Sequence, residues 1–239
     1  MRTKDQIDNI KKTISDPYVI EDFITFDNIE YLIKLFEEHP DVDKTHKNTG
    51  PITLDLQCVD DIVVSKLINN LQNLIGPFEI TAAFFFKTSY PHIIHNDDTF
   101  ELPDAVFKAI TIPLKTYGSD RVPDLCFFDQ FYFHGPAKFF NGDSNIPTHY
   151  NKQIYDYIEV DGISNTMLID ESTRITYFTH LKPNWLKGLT MWGSLKWKPT
   201  SALIFDSVRL HCASDFRKLN IQSKLGISIF TKLRLINII

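Results

Sequence analysis

The hydrophobic period of the chain changes about one third of the way along. Over residues 5–15, Ile7, Ile10 and Ile14 recur at helical spacing on a polar background, which predicts a short amphipathic helix. Residues 18–23 read as a strand. Ile29, Leu32, Ile33, Leu35 and Phe36 then form the apolar stripe of a second helix, starting at Thr25 and ending before Pro40. After a polar loop to about residue 50, Ile62, Leu67, Leu71 and Leu74 predict a third helix over 60–74, stopped by Gly76-Pro77. From there the pattern turns to short β-branched and aromatic segments bounded by Pro, Gly, Asn or Asp, predicting strands at 79–87, 106–114, 124–133, 174–178, 189–192, 201–205 and 225–233. Residues 134–173 are irregular. Helices followed by a run of strands imply an α+β protein with a barrel or double-sheet jelly-roll core. No repeat, low-complexity tract or linker divides the chain, so a single domain over 1–239 is expected.

Composition sharpens this picture in three places. Aromatic residues make up 13% of the 239 positions, a surplus that leans towards β structure. The balance of 25 basic against 30 acidic residues, net −5, argues against a partner held by phosphate contacts, so nucleic acid is not expected. The three cysteines, Cys58, Cys126 and Cys212, are odd in number and share no CxxC spacing, which argues against a disulfide scaffold or cysteine zinc site and suits a reducing compartment. The first 16 residues lack the apolar core of a signal peptide, and no apolar run approaches the ~20 residues of a membrane helix. A soluble, cytoplasmic protein without a membrane partner is expected.

Two segments carry candidate chemistry. Pro91-His-Ile-Ile-His95-Asn-Asp97-Asp98 follows an apolar strand, and in an extended chain His95 and Asp97 share a face. Ser201 to His211 is a strand and short turn ending in a histidine, 116 residues after His95. Two histidines and one carboxylate with open remaining positions are the donor set of non-haem iron(II) sites. Singly, His95 reads as a surface-loop histidine and His211 as a satisfied strand-end histidine. Lys224 lies 13 residues after His211, at the start of a strand whose alternation puts Lys224, Gly226, Ser228 and Phe230 on one face. A lysine facing a barrel interior is costly unless paired with an anion, and the alternative is a strand-edge lysine in solvent.

Together these segments resemble the 2-oxoglutarate and Fe(II)-dependent dioxygenases, near the prolyl-hydroxylase-like branch. The matching pieces run in order: Val19-Ile-Glu-Asp-Phe-Ile-Thr before a helix, His95-Asn-Asp97, Lys108-Ala-Ile-Thr-Ile-Pro-Leu114, and Trp197-Lys-Pro-Thr-Ser-Ala-Leu-Ile-Phe-Asp206 followed by Leu210-His211. They cover roughly 18–115 and 195–232. Residues 116–194 match loosely and are expected to be an insertion in which substrate identity is written. The resemblance implies a double-stranded β-helix (cupin-like jelly roll) with the N-terminal helices packed on one sheet, and Fe(II) held by His95, Asp97 and His211. It also implies 2-oxoglutarate and O2 as co-substrates, release of succinate and CO2, and hydroxylation of a C–H bond. A basic residue after the distal histidine holds the far carboxylate of 2-oxoglutarate; Lys224 is the best position and Arg217 the competitor. Many members carry Arg with Ser two residues on, whereas here position 226 is Gly, so the second carboxylate donor stays open. The primary substrate is also open among a peptidyl side chain, a free amino acid and a small metabolite. Two rivals are a non-catalytic jelly-roll binding module and a zinc-assisted hydrolase with the same triad.

The remaining histidines, His92, His134, His149 and His180, are expected in loops or solvent. Cys212 is expected to face away from His211. Asp98 and Asp206 read as turn groups or as groups supporting the ligands, and Arg174, Tyr177 and Trp192 as strand residues that could line a substrate pocket.

Overall fold

The computed structural model describes residues 2–42, 52–98, 106–133, 135 and 168–233. Three helices open the chain, each started by a side-chain cap. Helix α1 (Lys4–Lys11) begins with a capping box in which the Thr3 hydroxyl accepts from Gln6 N–H and the Gln6 side chain accepts from Thr3 N–H. Helix α2 (Phe26–Glu38) is capped by Thr25, and α3 (Ile62–Ile75) by Asp61, whose carboxylate accepts from Val63 and Val64. Gly76, at φ 92°, ends α3 in a conformation that side chains resist. The first helix stops four residues short of the predicted end because tertiary partners take over: the Ser15 N–H donates to the Asp206 carboxylate at 2.8 Å.

The strands are β1 (Tyr18–Ile20), β2 (Ile52–Asp55), β3 (Phe78–Thr88), β4 (Val106–Tyr117), β5 (Asp124–Phe131), β6 (Met191–Lys196), β7 (Ala202–Asp206), β8 (Arg209–Ala213) and β9 (Ser223–Leu233). They form a six-stranded sheet in the order β1-β7-β4-β9-β3-β2 and a three-stranded sheet in the order β6-β5-β8. His95 prolongs the smaller sheet by one antiparallel bridge to His211. From β3 onward the chain passes back and forth between the sheets: β3, the His95 bridge, β4, β5 and β6, β7, β8, β9. This is the double-stranded β-helix expected from the sequence. Strand β5 lies within 116–194 and β6 begins there, so that stretch feeds the smaller sheet.

One predicted strand is a helix. Residues 174–177 fall in α4 (Glu171–Tyr177), with Phe178 as its C-cap; the helix starts from the Asp170 carboxylate accepting Thr173 N–H and carries an Arg174–Glu171 pair on its surface. The β-branched residues mimic a strand there, but the cap and the exposed Ile175 belong to a surface helix. Strand β2, at the sheet edge, was not anticipated, and the predicted 189–192 strand runs instead from 191 to 196.

Three apolar layers result. On the outer face of the large sheet, Phe85, Ile112 and Ile227 pack with Leu32, Phe36, Leu67 and Leu71 of α2 and α3. Between the sheets lie Leu125, Phe127, Trp197, Leu203 and Phe205. The far face of the small sheet, with Cys126, Phe128 and Cys212, is covered by Ile169, Phe178, Leu181 and Leu186.

The N-terminal segment is fastened to the barrel by buried charges. Lys108 Nζ meets Asp206 Oδ1 at 2.6 Å and Ser15 Oγ at 2.8 Å, with the two ionic side chains 8% and 4% exposed. Arg2 pairs bidentately with Asp98 and donates to Phe133 O at 2.8 Å. Arg209 reaches Asp16 at 3.5 Å. Asp206→Ala, which strands the Lys108 ammonium, should cost about 3–5 kcal/mol. Denaturant unfolding checks this, and a loss below about 1 kcal/mol, the scale of an exposed pair, would contradict it.

Candidate functional site

The site begins where β3 ends. Beyond Thr88 the chain bends and then passes through His95 and Asp97, which the backbone holds on both sides. His95 N–H donates to His211 O at 3.0 Å, His211 N–H donates to His95 O at 2.9 Å, and Asp97 N–H donates to Ser207 O at 2.8 Å. Alternation then sorts the side chains. His95 and Asp97 point inward, while Asn96 donates away to Tyr132 O and Gly135 O, both at 3.1 Å. Opposite, His211 projects from β8 on the inner face, and Cys212 turns to the apolar layer behind the sheet.

The three inward groups converge. His95 Nε2 lies 3.5 Å from Asp97 Oδ1, and His211 Nε2 lies 3.3 Å from Asp97 Oδ2. One donor atom from each residue falls within 4.8 Å of the others, so the three could hold a metal ion. Both imidazoles are oriented for this. His95 Nδ1 sits 2.7 Å from Ile93 O, and His211 Nδ1 sits 3.0 Å from Arg209 O. A carbonyl only accepts, so each Nδ1 carries a proton; Nε2 faces Asp97, donating to the carboxylate in the protonated ring and free to ligate a cation in the neutral one. Burial pushes the Asp97 carboxyl up, but the two histidines together outweigh it and hold the group well below the usual carboxylate range. Burial, reinforced by His211, lowers the His95 pKa against the pull of Asp97.

These residues stand at the wall of a cavity of about 210 Å³ between the sheets. Its other walls are largely aromatic, with Phe84, Phe86, Trp197 and Phe230. Lys224, the second residue of β9, lines the same cavity and is 5% exposed. Its ammonium lies over the rings of Trp197 and Phe216, at 4.9 and 5.6 Å from their centres. Burial pushes its pKa down to about 8, with only the Cys126 and Cys212 thiols opposing, so no carboxylate among the described residues compensates the charge. Arg217 is excluded from the cavity: it is exposed on the turn Phe216–Leu219 and bound to Asp215 at 2.9 Å.

The other candidates lie elsewhere. Asp98 and Asp206 bind Arg2 and Lys108. Arg174 and Tyr177 ride on α4. Trp192 packs edge-on to Phe127 at 6.3 Å. His92 lines the cavity mouth, its ring 4.0 Å from that of His95. His180, in the turn after α4, is driven by burial to a pKa of about 4 and does not line the cavity. His134 and His149 lie outside the described residues.

Two residues gained their meaning only from the structure. Trp197 is fully buried, and its indole Nε1 has no hydrogen-bond partner. A Cβ on Gly226 would come within 2.8 Å of Trp197 Cζ2.

No family model and no curated protein matches the chain. Among solved structures, EvdO2 from Micromonospora carbonacea var. aurantiaca superposes with a TM-score of 0.53 at 9% identity, over 97% of this chain and 91% of that one. The chain has a double-stranded β-helix fold. EvdO2 complexed with 2-oxoglutarate gives a TM-score of 0.50 at 9% identity, covering 98% of this chain and 91% of that one. The non-heme alpha ketoglutarate dependent carbocyclase SnoK from nogalamycin biosynthesis gives 0.50 at 9% identity, over 96% and 83% of the two chains. Among the described residues, no helix is long and apolar enough to cross a membrane.

Proposed function

We propose that the protein is an Fe(II)- and 2-oxoglutarate-dependent oxygenase that hydroxylates a C–H bond of a peptidyl side chain, a free amino acid or a small metabolite, with release of succinate and CO2. The observation that carries this reading is the pairing, within one cavity, of the His95/Asp97/His211 donor cluster with the buried, uncompensated ammonium of Lys224. The donor set suits iron(II): two neutral imidazoles and one carboxylate leave remaining positions open for substrates. Lys224 suits the far carboxylate of 2-oxoglutarate, an anion that would satisfy the buried charge. EvdO2, complexed with 2-oxoglutarate, and the alpha ketoglutarate dependent SnoK support the co-substrate assignment through their shared fold. SnoK is a carbocyclase, and our choice of hydroxylation rests on the order of motifs that resembles the prolyl-hydroxylase-like branch. The free thiols and the need to keep iron reduced favour a cytoplasmic setting.

In this site His95 Nε2, Asp97 and His211 Nε2 would hold the iron, and Lys224 would fix the distal end of 2-oxoglutarate. When bound, iron with 2-oxoglutarate and O2 would supply the oxidising chemistry. The chain's own part is positioning. The Ile93 and Arg209 carbonyls set both histidine tautomers, and Asp97 remains ionised across the working pH range. The walls of Phe84, Phe86, Trp197 and Phe230 exclude water from the reacting centre.

Anaerobically loaded protein should release succinate only when Fe(II), 2-oxoglutarate and O2 are all present, including slow turnover without primary substrate. Succinate release that persists without O2, or none under any combination, would sink the proposal.

A further inference from the structure

Trp197 follows β6 in a fixed pose, its backbone N–H donating to Pro123 O at 2.8 Å. The side chain is 0% exposed, yet the indole Nε1–H finds no acceptor. An indole nitrogen can only donate; the packing that encloses it gives it no acceptor, and the cavity that Trp197 lines is where one can enter. A buried donor left without one is costly to the fold.

Gly226 explains why the indole reaches this place. A Cβ there would lie 2.8 Å from Trp197 Cζ2 and 2.9 Å from Ile112 O, so only glycine leaves room for the ring. Cζ2 neighbours the ring carbon that bears Nε1, which puts the N–H side of the indole beside Gly226. Lys224, two residues earlier on the same strand face, holds its ammonium 4.9 Å from the Trp197 ring centre. The Thr88 hydroxyl, which also lines the cavity, is already engaged with Tyr90 O at 3.0 Å. One spot thus holds two unmet demands, an ammonium lacking an anion and an N–H lacking an acceptor. A carboxylate has two oxygens and accepts at both.

We infer that the Trp197 indole N–H is the second donor to the carboxylate held by Lys224, with Gly226 as the opening that admits it. The inference rests on our reading of the cavity as a 2-oxoglutarate site. It makes the anchor selective: a donor-only indole beside an ammonium accepts a carboxylate and disfavours a distal amide, whose NH2 would face two donors.

The test uses full-length, 15N-labelled, zinc(II)-loaded protein and needs no turnover. The chain has three tryptophans and hence three indole N–H signals, and W197F assigns that of Trp197. Adding 2-oxoglutarate should shift this signal downfield. W197F keeps most of the ring's bulk but removes the donor, and should bind 2-oxoglutarate about tenfold more weakly. Its affinity for 2-oxobutanoate, which lacks the distal carboxylate, should match that of the wild type. Equal affinity of W197F and wild type for 2-oxoglutarate overturns the inference while leaving the oxygenase proposal intact. Failure of the wild type to bind 2-oxoglutarate at all removes both. Should W197F not fold, W185F and W192F assign the signal by elimination, and an unmoved Trp197 indole in the wild type is then the overturning result.

Discussion

Lys224→Met will raise the melting temperature and abolish productive use of 2-oxoglutarate. The stability gain follows from the burial of the ammonium. Lys224 titrates at about 8 in the fold against an ordinary 10.5. The unfolded chain therefore keeps a proton that the folded chain sheds, and stability rises as pH climbs from about 8 to about 10.5. Below about 8 the full penalty is present, on the order of 3 kcal/mol. Methionine removes that penalty and forfeits about 1 kcal/mol of cation–π contact with Trp197 and Phe216. The net of about 2 kcal/mol corresponds to roughly 4–8 °C in a domain of this size. The functional loss runs the other way: removing one partner of a buried charge pair costs about 2–5 kcal/mol, so the apparent KM for 2-oxoglutarate should rise at least ~30-fold. Calorimetry beside a 2-oxoglutarate titration checks both. A destabilised variant, or one that keeps its KM, contradicts the anchor assignment. In the wild type, 2-oxoglutarate affinity should fall as pH rises through about 8, because only the charged lysine attracts the carboxylate and the neighbouring Cys126 and Cys212 thiols are neutral there.

His211→Ala should lower iron affinity by well over ~100-fold, beyond the 10–100-fold typical of losing a residue that merely orients a ligand. His211 is 2% exposed and packed against Phe127 and Phe205, so part of the loss is a cavity. His211→Gln separates the two effects by filling the space with a poorer donor. Iron content by metal analysis should drop in both variants, with the fold retained in the second. Near-native iron affinity in either would remove His211 from the donor set.

The ligand candidates were readable because their signal is local. His95 and Asp97 stand at i and i+2 in an extended segment, and strand alternation alone puts them side by side. Lys224 stood out as a charge on the inward face of a strand whose other face, Leu225, Ile227 and Ile229, is apolar. Trp197 carried no such mark. Its role depends on the absence of a side chain at Gly226, a contact between segments 29 residues apart that no periodicity records. Lys108 hid in the same way, inside an apolar run, with its partners Ser15 and Asp206 at opposite ends of the chain. Residues 174–178 misled because Thr and Ile favour strands, whereas the decision lay with the Asp170 cap outside the segment.

The fastening of residues 2–20 has a consequence for biosynthesis. Their anchors are Asp98, Phe133, Asp206 and Arg209, and among the described residues β1 pairs only with β7, whose last residue is Asp206. At about 5–20 residues per second on the ribosome, residue 206 follows residue 20 by roughly 10–40 s. During that interval β1 has no strand to pair with, and α1 has only the Asp98 and Phe133 side of its docking site. The earliest-made part of the described chain is therefore among the last to settle, and a chaperone that shields emerging apolar segments would find its longest-lived target there.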